Sequence, residues 1–174
     1  MSISLHIEFE KAVRLLVAHV PPSNENSRKP ILFHNIRVGV YLYEHGYPQD
    51  IILAGVLHDA IEWSSMTEQM LRDEFGENVV RLVLACTKND SITDDLEKTK
   101  DLILRCVKTG QEALVVKSAD ILDSFKWYSS QNNDDEIKYC VRNAEAIFKF
   151  KPADFNDNIF SELRSWLTSF TESE

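Results

Sequence analysis

A chain of 174 residues, 44% hydrophobic and 27% charged, has the length and composition of one compact globular domain with its own core, which excludes disordered, fibrous and disulfide-stapled classes. Its 28 acidic against 19 basic residues give a formal charge of −9 with no cluster of Lys and Arg, so a nucleic-acid polymer is not the expected partner. The N-terminus lacks a basic segment followed by an apolar stretch, no run approaches membrane-spanning length, and Cys86, Cys106 and Cys140 lack CxxC spacing; a soluble, cytoplasmic protein with no membrane partner is expected.

The pattern along the chain is helical almost throughout. Apolar groups recur at helical spacing over 3–20 (Ile7, Phe9, Ala12, Val13, Leu16, Val17, Val20) and stop at Pro21-Pro22, which cannot continue a helix. After the polar loop SNENSRK a second helix is predicted from Ile31 to His45, closed by Gly46, and a third starts near Pro48. Ser65 or Thr67 is placed to cap the next, short helix, with Ser65 and Glu68 at capping-box spacing and Gly76 closing it. VVRLVLACT continues helically, NDSITDD reads as a loop, LEKTKDLILRCVKTG runs to Gly110, and QEALVVKSADILDSFKWYSS is a long helix. The last two helices, 134–149 and 154–170, flank Pro152, and the acids Asp134, Asp135 and Glu136 suit a helix N-terminus. VVRLVLA and ALVV are short enough to be strands by period alone, yet neither a hairpin turn nor regular alternation accompanies them. The expectation is an all-α fold, one bundle of eight or nine helices over residues 1–174.

The third helix carries IILAGVLHDAIEW, an oily run with an imidazole and a carboxylate set inside it. An ionised Asp in such a setting is costly unless an opposite charge compensates it, and a metal cation would do so. His58 and Glu62 are four apart and Asp59 and Glu62 three apart, so all three project from neighbouring positions on one helix surface. His34 lies on the preceding helix, and Asp120 interrupts VVKSADIL far along the chain. Two imidazoles and two carboxylates would form a mixed nitrogen and oxygen shell that suits manganese, iron, cobalt, nickel or zinc, and the absence of thiolates argues against a structural zinc knot. His6, His19 and His45 stand without paired ligands and read as surface or boundary residues, and neither a GxSxG motif nor a Gly-rich phosphate loop is present.

The series His34, His58-Asp59, Asp120 resembles the H...HD...D signature of the HD-domain metal-dependent phosphohydrolases, a helical superfamily. More closely, KPILFHNIRVG, AGVLHDAIEW, TEQMLRDEFGENVVRLVLACTK and VVKSADILDSF are similar to segments of RelA/SpoT-type ppGpp hydrolases and their small stand-alone relatives, over about residues 28–125. The resemblance implies one divalent cation, most often manganese, held by His34, His58, Asp59 and Asp120. It also puts Asp59 and Glu62 at catalytic positions, with Glu62 assisting the attacking water. The chemistry is coherent: a divalent cation lowers the pKa of water and neutralises charge on a phosphoryl oxygen, while a carboxylate orients that water or takes its proton.

Two positions depart from the family pattern. Trp63 replaces the second acid of HDxxED, and Ser124 replaces the Asn four residues after the late Asp. An indole neither accepts a proton nor binds a cation, so Trp63 is either a substrate-facing aromatic that stacks on a base or a core aromatic, whereas Ser124 keeps a hydroxyl one turn beyond Asp120. Arg28 and Lys29 in the loop before His34, Arg37 one turn after it, Lys88, and Lys117 one turn before Asp120 are the candidate phosphate contacts, Lys117 and Arg28 foremost; otherwise each is a solvated surface charge. The expected activity is hydrolysis of a phosphate ester or pyrophosphate of a small nucleotide-like substrate, on the lines of a ppGpp 3′-pyrophosphohydrolase. The alternative raised by Trp63 and Ser124 is a catalytically impaired HD module that binds metal and nucleotide for regulation.

Overall fold

The computed structural model describes residues 3–172. Its regular elements are all helical: α1 (Ile3–His19), α2 (Ile31–Glu44), α3 (Gln49–Leu57), α4 (Ala60–Trp63), α5 (Glu68–Phe75), α6 (Glu77–Cys86), α7 (Asp95–Thr109), α8 (Gln111–Ser130), α9 (Asp134–Phe150) and α10 (Asn158–Thr171). Among the described residues nine helices have eight residues or more, as the all-α expectation held, and α4 adds a single turn of four. That extra piece exists because the helix entered at Pro48 breaks inside the HD pair. Asp59, at φ −93° and ψ −3°, stands at the edge of the helical region, toward the sparsely populated bridge conformations where active-site residues are often found. VVRLVLA lies within α6 and ALVV within α8, so neither forms a strand.

The chain groups into two compact units, one ending at Thr87 and the other starting at Lys88, a boundary with no linker composition. In the first unit α3 is packed by α1, α2 and α6. Every residue from Ile51 to Leu57 is buried, which is why the run shows no polar face: a helix apolar all round is a core helix. Ile52, Leu53, Val56 and Leu57 each contribute about 1.5–3 kcal/mol by burial.

Two glycines let α2 and α3 approach closely. A Cβ on Gly39 would stand 2.2 Å from Val56 Cγ2, and one on Gly55 would stand 2.3 Å from Leu42 Cδ1. Thr67, not Ser65, caps α5, its hydroxyl accepting from the Met70 amide at 3.2 Å. Ser65 is engaged by α1 instead.

In the second unit α8 packs against α7, α9 and α10. Asp94 caps α7, accepting from the Glu97 amide at 2.9 Å. Asp157 accepts from the Ile159 amide at 3.0 Å, so α10 starts at Asn158 rather than at the expected 154. Phe125 of α8 stacks on Trp166 and Phe170 of α10, with centroids 6.2 and 5.6 Å away, and joins the two helices. Cys86, Cys106 and Cys140 are buried thiols in no disulfide, as core residues. No described helix is long and apolar enough to cross a membrane.

The close approach at Gly39 is testable. Gly39→Val forces a branched side chain against Val56 in a core without slack and is expected to cost about 1–3 kcal/mol, read as a lower urea midpoint with the m-value unchanged.

Candidate metal centre

His34 belongs to the buried stripe of α2, with Asn35, Val38, Gly39 and Leu42. His58 is the first residue past α3 and is buried there. Its Nδ1 lies 2.8 Å from the Gly55 carbonyl oxygen. A carbonyl only accepts, so Nδ1 carries the proton, and the lone pair of the neutral ring sits on Nε2. That Nε2 is 3.2 Å from His34 Nε2, the rings meeting edge to face at 77°. Asp59 Oδ2 closes the group at 3.5 Å from His58 Nε2 and 3.8 Å from His34 Nε2.

Ligands held at about 2.0–2.2 Å by one cation lie roughly 2.9–3.5 Å from their neighbours, so the three atoms need little adjustment to share one. The donor set is also right: two imidazole nitrogens and a carboxylate, all buried and without sulfur, suit a borderline or hard divalent ion. Lys29 Nζ lies 2.7 Å from His34 Nε2, so its ammonium engages the lone pair that a cation would use and has to give way to one. Arg28, the neighbour given precedence in the sequence, is exposed.

Asn35 was not singled out from the sequence. Fully buried, its amide finds partners when the nitrogen faces Asp59 Oδ2 at 3.2 Å and the Ile31 carbonyl at 3.3 Å. It therefore holds the same carboxylate oxygen that faces the two imidazoles, a hydrogen bond of the kind outer partners give metal ligands. The available signal was an amide on the apolar stripe of a helix, directly after the His.

Glu62 is half-buried on α4, one turn past Asp59. Trp63 is 44% exposed, which overturns the core-aromatic alternative and leaves its ring available at the surface. Arg37 is half-buried, its guanidinium 4.9 Å from the centre of the exposed Phe33 ring.

In the second unit Asp120 and Lys117 are both buried on α8, and Lys117 Nζ donates to Asp120 Oδ2 at 2.7 Å. Lys117 is 2% exposed, so a solvated surface charge is excluded for it. Ser124 is buried one turn on, its hydroxyl 3.4 Å from Asp120 Oδ1. Both residues thus attend the carboxylate, the relation that i,i+3 and i,i+4 spacing on one helix provides. Lys88, half-buried, opens the unit.

A family model described as HD domain matches residues 12–150. The chain belongs to the HD domain family, and the resemblance to RelA/SpoT-type proteins drawn from its motifs is borne out. It is 32% identical over 108 residues to the guanosine-3′,5′-bis(diphosphate) 3′-pyrophosphohydrolase of Aquifex aeolicus, covering 59% of this chain and 15% of that protein. It is 33% identical over 112 residues to the probable enzyme of that name from Mycoplasma pneumoniae, covering 56% of this chain and again 15% of the relative. The chain thus spans about 15% of the length of these curated relatives. A solved metazoan ortholog of SpoT, described as hydrolysing ppGpp and playing a role in starvation responses, superposes with a TM-score of 0.73 at 18% identity over 97% of this chain and 96% of that one. A Listeria monocytogenes protein superposes with a TM-score of 0.68 at 20% identity over 87% of this chain and 99% of that one. At these identities the two structures bear on the fold alone.

If Asn35 holds Asp59 as described, Asn35→Ala should weaken Mn²⁺ binding by about 10–100-fold while His34 and His58 remain in place. Calorimetric titration of the apoprotein with Mn²⁺ measures this.

Proposed function

We propose that the chain is a metal-dependent phosphohydrolase acting in the cytoplasm on a phosphate ester or pyrophosphate of a small nucleotide, with removal of the 3′-pyrophosphate of ppGpp as the specific reaction. The observation that carries the reading is the buried meeting of His34 Nε2, His58 Nε2 and Asp59 Oδ2, no pair further apart than 3.8 Å. Membership of the HD domain family and the names of the curated relatives support the substrate class. We assign His34, His58 and Asp59 as ligands of one divalent ion, Mn²⁺ first, with Asp120 as the fourth ligand on the strength of the motif order.

When bound, the ion supplies Lewis acidity toward water and toward a phosphoryl oxygen. The residues do the rest. Glu62 takes the proton of the attacking water and Asp59 helps orient it. Asn35 and the Gly55 carbonyl keep the ligating atoms aimed, and Lys117 and Ser124 hold the Asp120 carboxylate. Lys29 and Arg37 lead the phosphate contacts, Arg28 and Lys88 are further candidates, and the exposed Trp63 ring stacks on the base.

Chelation is expected to abolish turnover and Mn²⁺ to restore it. His58→Ala and Asp59→Ala should lose bound metal and activity together, whereas Glu62→Gln should keep the metal and lower kcat by about 10²–10⁴. Turnover by metal-free protein would reject the reading. A panel of ppGpp, NADPH and nucleoside phosphates assigns the substrate; tight nucleotide binding with no product from any of them would replace the enzyme by a regulatory binding module.

A further inference from the structure

The one-turn helix α4 cannot hold itself. A single turn bears the full cost of nucleation with almost no propagation to offset it, so its orientation depends on its packing against α6 through the buried Ala60 side and on what anchors its two ends. At the leading end the Glu62 and Trp63 amides donate to the Asp59 carbonyl at 3.1 and 3.0 Å. At the trailing end Ser64 turns back, its hydroxyl donating to the Ala60 carbonyl at 2.6 Å and accepting from the Met66 amide at 3.0 Å. The next residue leaves the local turn altogether. Ser65 meets the last residue of α1 through two contacts: its Oγ is 2.9 Å from His19 Nδ1, and its amide donates to the His19 carbonyl at 3.4 Å.

His19 and Ser65 are 46 residues apart, and nothing in local helix geometry requires them to meet. Helix α1 packs on α3, the helix that delivers His58. The far end of α4 is thereby referenced to the same core that aims the imidazole.

We propose that His19 and Ser65 are positioning residues, a latch from the end of α1 that fixes α4 and so sets the directions of Glu62 and Trp63. The inference rests on the hydrolase reading for its kinetic consequence. Of the assigned ligands, His34 and His58 precede α4, Asp59 borders its leading end and Asp120 lies on α8, whereas the latch holds the trailing end, so the latch governs turnover rather than metal loading.

The test uses His19→Ala, Ser65→Ala, the double variant, and His19→Asn, whose amide nitrogen stands where Nδ1 stood. Hydrogen exchange followed by mass spectrometry should show faster exchange confined to residues 60–66 in the alanine variants and near-normal protection in His19→Asn. Mn²⁺ content should stay at the unaltered level. On the substrate turned over by the unaltered protein, kcat should fall about 10–100-fold with a smaller change in KM, and the double variant should be no worse than either single one. Unchanged exchange over 60–66, or a loss of kcat that tracks loss of metal or that His19→Asn fails to restore, overturns the latch. If the unaltered protein turns over no substrate, the hydrolase reading and the kinetic role fall together; the exchange measurement still decides whether His19 and Ser65 fix α4.

Discussion

The hydrogen bond from His58 Nδ1 to the Gly55 carbonyl is the constraint on which the centre depends. It sets the tautomer, turns the ring, and leaves Nε2 as the atom facing α2. The same Gly55 lets the Leu42 side chain of α2 lie against the α3 backbone, as Gly39 does for Val56 in the other direction. One stretch of backbone thus aims the second imidazole and sets how near the first can come. The 3.2 Å separation of the two Nε2 atoms is a product of core packing as much as of the histidines themselves.

Burial explains why each charged member has an attendant. A carboxylate removed from water is costly unless it is paired or hydrogen-bonded. Asp59 has the Asn35 amide and the two imidazoles near it, and Asp120 has Lys117 and Ser124. These neighbours also restrict the imidazole nitrogens and carboxylate oxygens to few orientations, which reduces the ordering a cation would have to impose.

Much of the centre was legible in the order of residues because its chemistry is unusual for its setting. An imidazole and a carboxylate inside IILAGVLHDAIEW conflict with the burial that the surrounding apolar groups demand, and such conflicts mark functional positions. The attendants were less legible. Asn35 looks like an ordinary helix amide until the stripe that buries it is known, and Lys117 looks like a surface base until α7, α9 and α10 enclose its helix. The choice between Ser65 and Thr67 as the α5 cap also lay beyond local pattern, because His19 claims Ser65 from 46 residues away. Trp63 was undecided for a similar reason: an indole on a four-residue helix is buried or exposed according to what the rest of the fold sets over it.

The sequence alone determined the helical class, most helix boundaries and the family, because apolar periodicity, Pro and Gly punctuation and the spacing of His34, His58, Asp59 and Asp120 are encoded locally or in simple order. Only the tertiary structure decided the break of the helix at His58-Asp59, the aim of the imidazole nitrogens, the recruitment of Asn35 and the anchoring of α4 by α1. Each of these depends on which backbone carbonyl, amide or hydroxyl arrives from a distant part of the chain once apolar burial has packed the helices. No local pattern carries that information.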